Sequence, residues 1–589
     1  MSHLEVNSKY LKLLKNKIDP ERAPFSDRGS RLLLYKAPKN DTLFLKLAER
    51  LEDLQPCLED HRNRPPYLPS LNFVDETGNP LSFQLTSYPH ALFFQTRIGV
   101  FSIAFYKEDT IAVGVPKNVE CGIKIAISPS LHDQTKLGGT LKERRNLAYA
   151  TNGSILTNNL SHKNGLQILE FLIESKEDDA IYLNIRSDVD VHTQLAPFSE
   201  TLKRAEEKWH NWFSSVPEIS NIYREQYYYA WWILGNNLVS PRGHLKREAM
   251  MPSKAQYYGI WNWDACFHAI ALRHVDIELA RDQLRAILDW QLPDGMLPDV
   301  VHAEGVVDWI DHPIPGQVTK PPVMAWAALK LHETDPDTDF LEEIYPALKR
   351  WNGWWLLTED KGTGLPHYNH PFSSGADDNP LWDHGMPVLS PDLSTYLFKQ
   401  TKALSTIAKK IGMPREAEIW ETRAAGIVER LQTELYDSKA GLFQAKHKSE
   451  VIPEVTLFNL YPLWTAYLNA DIESQLLDHL TNPEEFWASH PLSTVARNTP
   501  SYEPETMWRG PVWVNTNYIF IEALEQIGYH TLAKKLRSET LEFLRESNDF
   551  YEYYNPETGA PPEKAAPIFG WSAALFIDMV IKTTPDLAL

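Results

Sequence analysis

Cysteine is scarce in this chain. Only Cys57, Cys121 and Cys266 occur in 589 residues, widely spaced and odd in number, so neither a disulfide framework nor a cysteine zinc site is supported. Buried free thiols are the reading that remains. Positive charge is also short: 58 Lys and Arg stand against 78 Asp and Glu, a formal net charge of -20. That balance argues against a nucleic-acid or anionic-membrane surface, since both favour a basic face. The expected partner is small or neutral, and no oligomeric partner is legible. No apolar run follows Met1-Ser2-His3-Leu4-Glu5, and no long uncharged apolar stretch comes later. Neither secretion signal nor membrane span is read, and a soluble cytoplasmic protein is expected. His and acidic residues lack compact ligand spacing such as His-Glu-x-x-His, and no nucleotide loop occurs, so no metal and no cofactor is expected.

What the chain has in quantity is tryptophan. All 19 follow position 208, and indoles offer flat apolar faces to sugar rings while their N–H serves polar edges. Many are expected to fill a helical interior, Trp354, Trp355 and Trp464 among them.

The first 200 residues differ from the rest. Short alternating segments at 81–85, 92–97, 100–106, 123–127 and 181–185, separated by turn formers, predict an antiparallel β-sandwich, with a helix near 41–54 ahead of it. From 218 onward, about twelve amphipathic helices follow with short connections. Their centres lie near Tyr229, His268, Leu284, Ala327, Leu348, Lys402, Arg423, Leu460, Leu477, Phe520, Ala533 and Leu575. Consecutive pairs of this kind predict six hairpins closed into an (α/α)6 toroid, with an all-α superhelix as the alternative. The expected fold class is mainly α: an N-terminal β-rich domain of antiparallel β-sandwich type over 1–198, a linker helix over 199–217, and an (α/α)6 toroid catalytic domain over 218–589.

The longer connections carry the chemistry. They contain Gly259-Ile260-Trp261-Asn262-Trp263-Asp264, Pro293-Asp294-Gly295-Met296-Leu297-Pro298-Asp299, Gly316-Gln317-Val318-Thr319-Lys320-Pro321-Pro322, Trp508-Arg509-Gly510-Pro511-Val512-Trp513 and Tyr551-Glu552-Tyr553-Tyr554-Asn555-Pro556. Aromatic platforms beside fixed polar groups suit a polyhydroxylated ligand, and a toroid gathers alternate loops at one end. Central among them is Pro371-Phe372-Ser373-Ser374-Gly375-Ala376-Asp377-Asp378-Asn379-Pro380-Leu381-Trp382-Asp383. If one of the adjacent Asp377 and Asp378 ionises, the other is harder to ionise, and a nearby ring such as Trp382 desolvates it further. One carboxyl then stays protonated near neutral pH and can serve as a general acid. The alternative is a solvated turn that begins a helix.

Trp263-Asp264-x-x-Phe267, Lys320-Pro321-Pro322, Ser374-Gly375-Ala376-Asp377, Trp508-Arg509-Gly510-Pro511-Val512-Trp513 and Phe569-Gly570-Trp571-Ser572, in this order, resemble the signature loops of glycoside hydrolase family 63. The family includes mannosylglycerate, glucosylglycerate and glucosidase-type hydrolases, and the related trehalases share several of these loops. The resemblance covers 220–589; no N-terminal motif is matched. It implies an inverting, exo-acting α-glycosidase cleaving a small α-glucoside or α-mannoside: a disaccharide, an oligosaccharide end, or a glyceryl or glycerate glycoside. Carried over residue by residue, it places the general acid on Asp377 and the general base on Glu552, with carboxyls about 6.5–9.5 Å apart to hold the attacking water. Asp264 and Arg509 then bind sugar hydroxyls, Trp261, Trp263, Trp513 and Trp571 wall the pocket, and Asp299, Gln317, Lys320 and Trp382 complete the expected substrate contacts. Arg509 has a structural ion pair as its other reading.

Two departures from that pattern bear on substrate. Lys320 stands where Gln is usual before the Pro-Pro pair, and Asp299 where His or Asn often follows Met-Leu-Pro. The two form a salt bridge, or Lys320 meets an acidic aglycone such as glycerate. Trehalose is disfavoured, because Ala376 replaces the trehalase Trp and Gly559-Ala560-Pro561-Pro562 stands in place of a glycine-rich stretch. A non-hydrolytic sugar-binding protein, or a sugar epimerase drawing on histidines such as His268 and His367, stays open at this point. A terpenoid cyclase would need a second aspartate-rich motif, which the chain lacks.

Overall fold

In the computed structural model, which describes residues 6–50, 64–142, 145–186, 195–220 and 222–583, the alternating segments of the first 186 residues are strands. They make two antiparallel sheets. One runs, neighbour to neighbour, Leu32–Lys36, Leu43–Leu47, Leu68–Asp75, Glu120–Ile127, Leu166–Glu174 and Ser154–Lys163. The other runs Gln84–Tyr88, Ala91–Thr96, Gly99–Lys107, Thr110–Gly114, Ala180–Arg186, Asn146–Thr151, Gly138–Lys142 and Leu131–Gln134. Rings join the two sheets: Phe73 stacks on Phe101 at 4.5 Å and meets Phe94 at 4.9 Å, while Tyr149 meets Phe171 edge-on at 5.1 Å. Each pair adds to plain apolar burial.

Two local expectations shift. The strand expected at 81–85 begins only at Gln84, because the Leu81 amide is drawn off to the Phe73 carbonyl. The helix expected near 41–54 is a strand over Leu43–Leu47, with Leu43 and Leu45 buried on its inner face. Period-two burial overrides the helix propensity of Leu and Lys there; positions 51–54 lie outside the described residues. Cys121 and Cys266 are buried free thiols, and Cys57 lies outside the described residues.

The charged run of 199–213 is helix Phe198–Ser214. Its Phe198, Leu202 and Ala205 lie against Ala91, Phe93 and Ala104 of the eight-stranded sheet. The chain divides into two compact units, one reaching to Ser240 and taking in Lys254–Tyr257, the other holding Arg50, Pro241–Ser253 and the chain from Tyr258 on.

Among the described residues, eleven of the twelve expected helix centres fall in α-helices, from Arg224–Asn237 to Gly570–Thr583. The exception is Leu460. It sits between the 3-10 turns Leu457–Asn459 and Tyr461–Thr465, where the Thr456–Asn459 capping box closes the first turn and Pro462 removes an amide donor. In the second unit the helices sort by burial. Asn262–Leu272 is buried along its whole length, and so are Val514–Leu524 within Val514–Gln526 and Gly570–Val580 within Gly570–Thr583. Ile277–Leu288, Thr338–Leu356, Pro414–Leu435 and His530–Glu546 bury one stripe only. A helix apolar all round must be covered all round, and the contacts show by what. Asn262–Leu272 touches Met324–Thr334, which touches Pro391–Lys410, then the Tyr461–Thr465 turn, then Val514–Gln526, then Gly570–Thr583, which packs back on Asn262–Leu272. Among the described residues, no helix is long and apolar enough to cross a membrane.

Candidate active site

At one end of these buried helices, short strands and turns hold the loops picked out by sequence. Strand Ile260–Trp261 pairs with Val300–Val301 and runs straight into helix Asn262–Leu272. The Asn262 backbone N–H donates to the Asp299 carbonyl at 3.0 Å and its side-chain amide to the Pro298 carbonyl at 3.1 Å. Asp264, in the first turn of the helix, and Asp299, at the edge of the strand, are thereby fixed side by side. Thr319 N–H donates to Ser373 Oγ at 3.3 Å, which ties the Lys320 segment to the Asp377 loop.

That loop is rigidly bonded. Ser374 Oγ donates to the Pro371 carbonyl and accepts from Ala376 N–H, the Asn379 side chain caps the turn Pro380–His384, and the Trp382 indole donates to the Ala376 carbonyl at 2.6 Å. The turn weighed as an alternative is therefore present, yet it is not solvated. Gly375 makes the bend with φ of 74°, and a Cβ there would lie 2.4 Å from Trp263 Cζ2. Gly375→Ala is accordingly expected to lose about 3 kcal/mol of stability, from left-handed backbone strain and overpacking. Chemical denaturation measures this; a midpoint equal to wild type would mean that the loop is not held by Trp263.

A third segment bridges to Glu552. The Trp508 backbone N–H donates to Asp378 Oδ1 at 2.9 Å, and Arg509 Nη1 donates to the Asp378 carbonyl at 3.1 Å. Val512 and Tyr554 exchange both backbone hydrogen bonds, at 2.7 and 3.0 Å. Glu552 is buried; its amide bonds the Ala566 carbonyl and its Oε2 accepts from Ala566 N–H. Ser572 Oγ donates to the Tyr551 carbonyl, anchoring this turn to the helix that carries Trp571.

The electrostatics centre on Lys320. Its Nζ lies 2.8 Å from Asp299 Oδ1 and 3.8 Å from Asp377 Oδ1, and donates to the Phe372 carbonyl at 2.7 Å. Burial works against this charge, but Asp299 and Asp377 hold the ammonium above the usual lysine range. Asp264 is raised well above the usual carboxylate range by burial, opposed by Lys320 and reinforced by Glu552 and Asp299. Burial pushes Asp377 up to about 7, with Lys320 opposing and Asp299 and Asp378 adding. One ammonium faces several acids, so a neutral carboxyl among them is the favourable state. The Asp377 side chain is 17% exposed against 4% for Asp299, so the carboxyl held near neutrality is also the more open of the two.

The aromatic residues assemble beside this cluster. Trp263 meets Trp571 edge-on at 5.2 Å, Trp513 meets Trp571 at 5.5 Å, and Trp513 stacks on Trp508 at 3.7 Å and Tyr553 at 5.0 Å. Trp508 and Tyr553 were not singled out from sequence, although both lie inside motifs that were. Trp261 is half-buried beside Val300, Val307, Ile310, Val318 and Phe372. Arg509 is committed to ion pairs with Asp383 at 2.7 Å and Glu503 at 3.2 Å, which is the geometry of its second reading. Gln317 is exposed and donates to Asp294 at 3.2 Å. Its described contact therefore leads away from the carboxylates. Burial drives His268 down to about 3, leaving it neutral, and His367 bonds Asn369 at 3.0 Å. Among the described residues, no group of three or more His, Cys, Asp or Glu side chains is placed to hold a metal ion.

The same stretch of chain matches known proteins. The family described as the mannosylglycerate hydrolase MGH1-like glycoside hydrolase domain matches residues 257–572. A mannosylglycerate hydrolase of Thermus thermophilus is 28% identical over 406 residues, 55% of this chain and 95% of the relative. A glucosylglycerate hydrolase of Mycolicibacterium hassiacum is 24% identical over 418 residues, 55% of this chain and 92% of the relative. The crystal structure of a family 63 mannosylglycerate hydrolase from Thermus thermophilus in complex with glucose aligns with a TM-score of 0.52 at 27% identity, over 60% of this chain and 98% of that one. A bacterial glucoamylase complexed with acarbose aligns over 96% of this chain and 94% of its own with a TM-score of 0.56; at 12% identity the likeness is one of fold.

Proposed function

The chain belongs to the mannosylglycerate hydrolase MGH1-like glycoside hydrolase family and is a glycoside hydrolase, and from that premise we propose an inverting, exo-acting α-glycosidase with Asp377 as general acid and Glu552 as general base. The observation that carries the reading is the buried group around Lys320: Asp377 sits there with its carboxyl raised to about 7, while Glu552 acts on the same group through Asp264. Asp377, protonated, delivers its proton to the glycosidic oxygen, and Glu552 takes a proton from water on the opposite face of the sugar. Trp263, Trp513 and Trp571 enclose the ring that is cut off, with Asp264 on its hydroxyls and Trp261 and Trp382 at the margins. Substrates of the class named for the relatives, an α-mannose or α-glucose on a small polar aglycone, fit this arrangement. We also read the six successively touching elements, from Asn262–Leu272 round to Gly570–Thr583, as the inner wall of an (α/α)6 toroid, with the Tyr461–Thr465 turn in one inner position.

The experiment is hydrolysis of a panel of α-glucosides and α-mannosides, with glyceryl and glycerate aglycones included, the released anomer being followed by NMR. Prompt appearance of the β-sugar is expected. Retention of the α-anomer would sink the inverting assignment, and sugar binding without cleavage of any glycoside would sink the catalytic one.

A further inference from the structure

Lys320 already has a carbonyl and two carboxylates of the protein as neighbours. Of its surroundings, Asp299 Oδ1 lies at 2.8 Å, the Phe372 carbonyl at 2.7 Å and Asp377 Oδ1 at 3.8 Å. The side chain is 5% exposed and its backbone is followed by Pro321 and Pro322, which restrict it to extended conformations. Seen from Asp377, the charged and titratable groups are Lys320 and Asp299 on neighbouring segments and Asp378 next in sequence, whose carboxylate accepts from the Trp508 amide and whose carbonyl accepts from Arg509. Asp264 joins the group through Lys320, and Glu552 through Asp264. His370, close enough to feel the ammonium, has its ring engaged with the Ile314 carbonyl and the Phe372 amide. An aglycone carboxylate brought to Lys320 would enter among Asp264, Asp299 and Asp377, and would have to draw the ammonium away from a buried partner. Removing one member of a buried ion pair leaves the other charge uncompensated.

We infer that Lys320 is a positioning residue for Asp377, bridging it to Asp299 and governing the pH range over which it keeps its proton, rather than an anchor for an anionic aglycone. The inference rests on the assignment of Asp377 as the acid. Its sign follows from charge alone. A cation near a carboxyl favours the ionised form, so losing the cation keeps the acid protonated to higher pH. Losing Asp299 does the reverse, because it removes a repelling anion and frees the ammonium for Asp377.

The test is the pH dependence of kcat/KM on a neutral glycoside for wild type, Lys320→Gln and Asp299→Asn in the full chain. The alkaline limb is expected to move up by about one pH unit or more in Lys320→Gln and down by a similar amount in Asp299→Asn. The ratio of kcat/KM between neutral and anionic aglycones is expected to change by less than about threefold in Lys320→Gln, against about tenfold or more if a charged contact to substrate were lost. Limbs that stay in place, or a loss confined to the anionic aglycone, would overturn the inference while leaving the hydrolase intact. A wild type that cleaves no glycoside would remove the acid assignment and the inference with it. Should Lys320→Gln fail to fold, Asp299→Asn still decides by the direction of its shift.

Discussion

Asp377→Asn is expected to lower kcat/KM by about 10³-fold on α-glycosides with poor leaving groups, the scale at which a positioned proton donor contributes. The loss should shrink steeply on a glycosyl fluoride, whose leaving group departs with little help from a general acid. A deficit that ignores the leaving group would place the proton donor elsewhere. The same substitution carries a stability signature with the opposite sign. Burial raises this carboxyl to about 7 in the folded chain, so its ionisation opposes folding as pH rises from the unfolded value of about 4 through 7. Stability from the neutral form is full below the lower value and is lost above the upper one. Asp377→Asn should therefore melt higher than wild type at pH 8 and nearly level with it at pH 4, an effect that differential scanning calorimetry reads directly.

Glu552→Ala is expected to cost about 10³-fold or more as well, but evenly across leaving groups, because a general base acts on the water and not on the departing oxygen. With the carboxylate gone, a small anionic nucleophile that needs no base can take the place of the water. Azide should restore turnover and yield the β-glycosyl azide from an α-glycoside. An α-azide would mean double displacement through an enzyme intermediate, and an absence of rescue together with a leaving-group dependence would exchange the roles of the two residues.

The helical half of the fold was legible because burial on one stripe writes a 3.6-residue period, as in Ile277–Leu288 and Pro414–Leu435. Helices buried all round, such as Asn262–Leu272, carry less of that period, although the same amphipathic pattern with short connections was read across them. Leu460 misled because its neighbours Leu457, Phe458, Tyr461 and Leu463 are apolar at helical spacing, and only Pro462 and the cap at Thr456 oppose the helix. At 41–54 the reverse happened: Leu and Lys invite a helix, while the positions of Leu43, Leu45 and Leu47 obey a strand. In the site, the segments could be named from their motifs, but the partners could not. Whether Lys320 turned to Asp299 depended on how two loops meet, and Asp378 is tied to a backbone amide 130 residues away, a group that leaves no mark on the sequence. Arg509 shows the same limit, since Asp383 and Glu503 are unremarkable acids until the fold brings them to its guanidinium.

The run of touching elements in the second unit closes on itself only where Gly570–Thr583 meets Asn262–Leu272, the last described helix of the unit against its first described one. During synthesis, Asn262–Leu272 leaves the ribosome some three hundred residues before its covering partner exists, buried side chains and all. Until then the nascent chain presents an apolar seam that chaperones would be expected to hold, and a stop codon anywhere before residue 570 leaves that seam open for good. Trp571 and the Ser572 bond to Tyr551 arrive with the same helix, so the last contact in this run of elements and the Trp263–Trp571 ring contact are made together, late in synthesis.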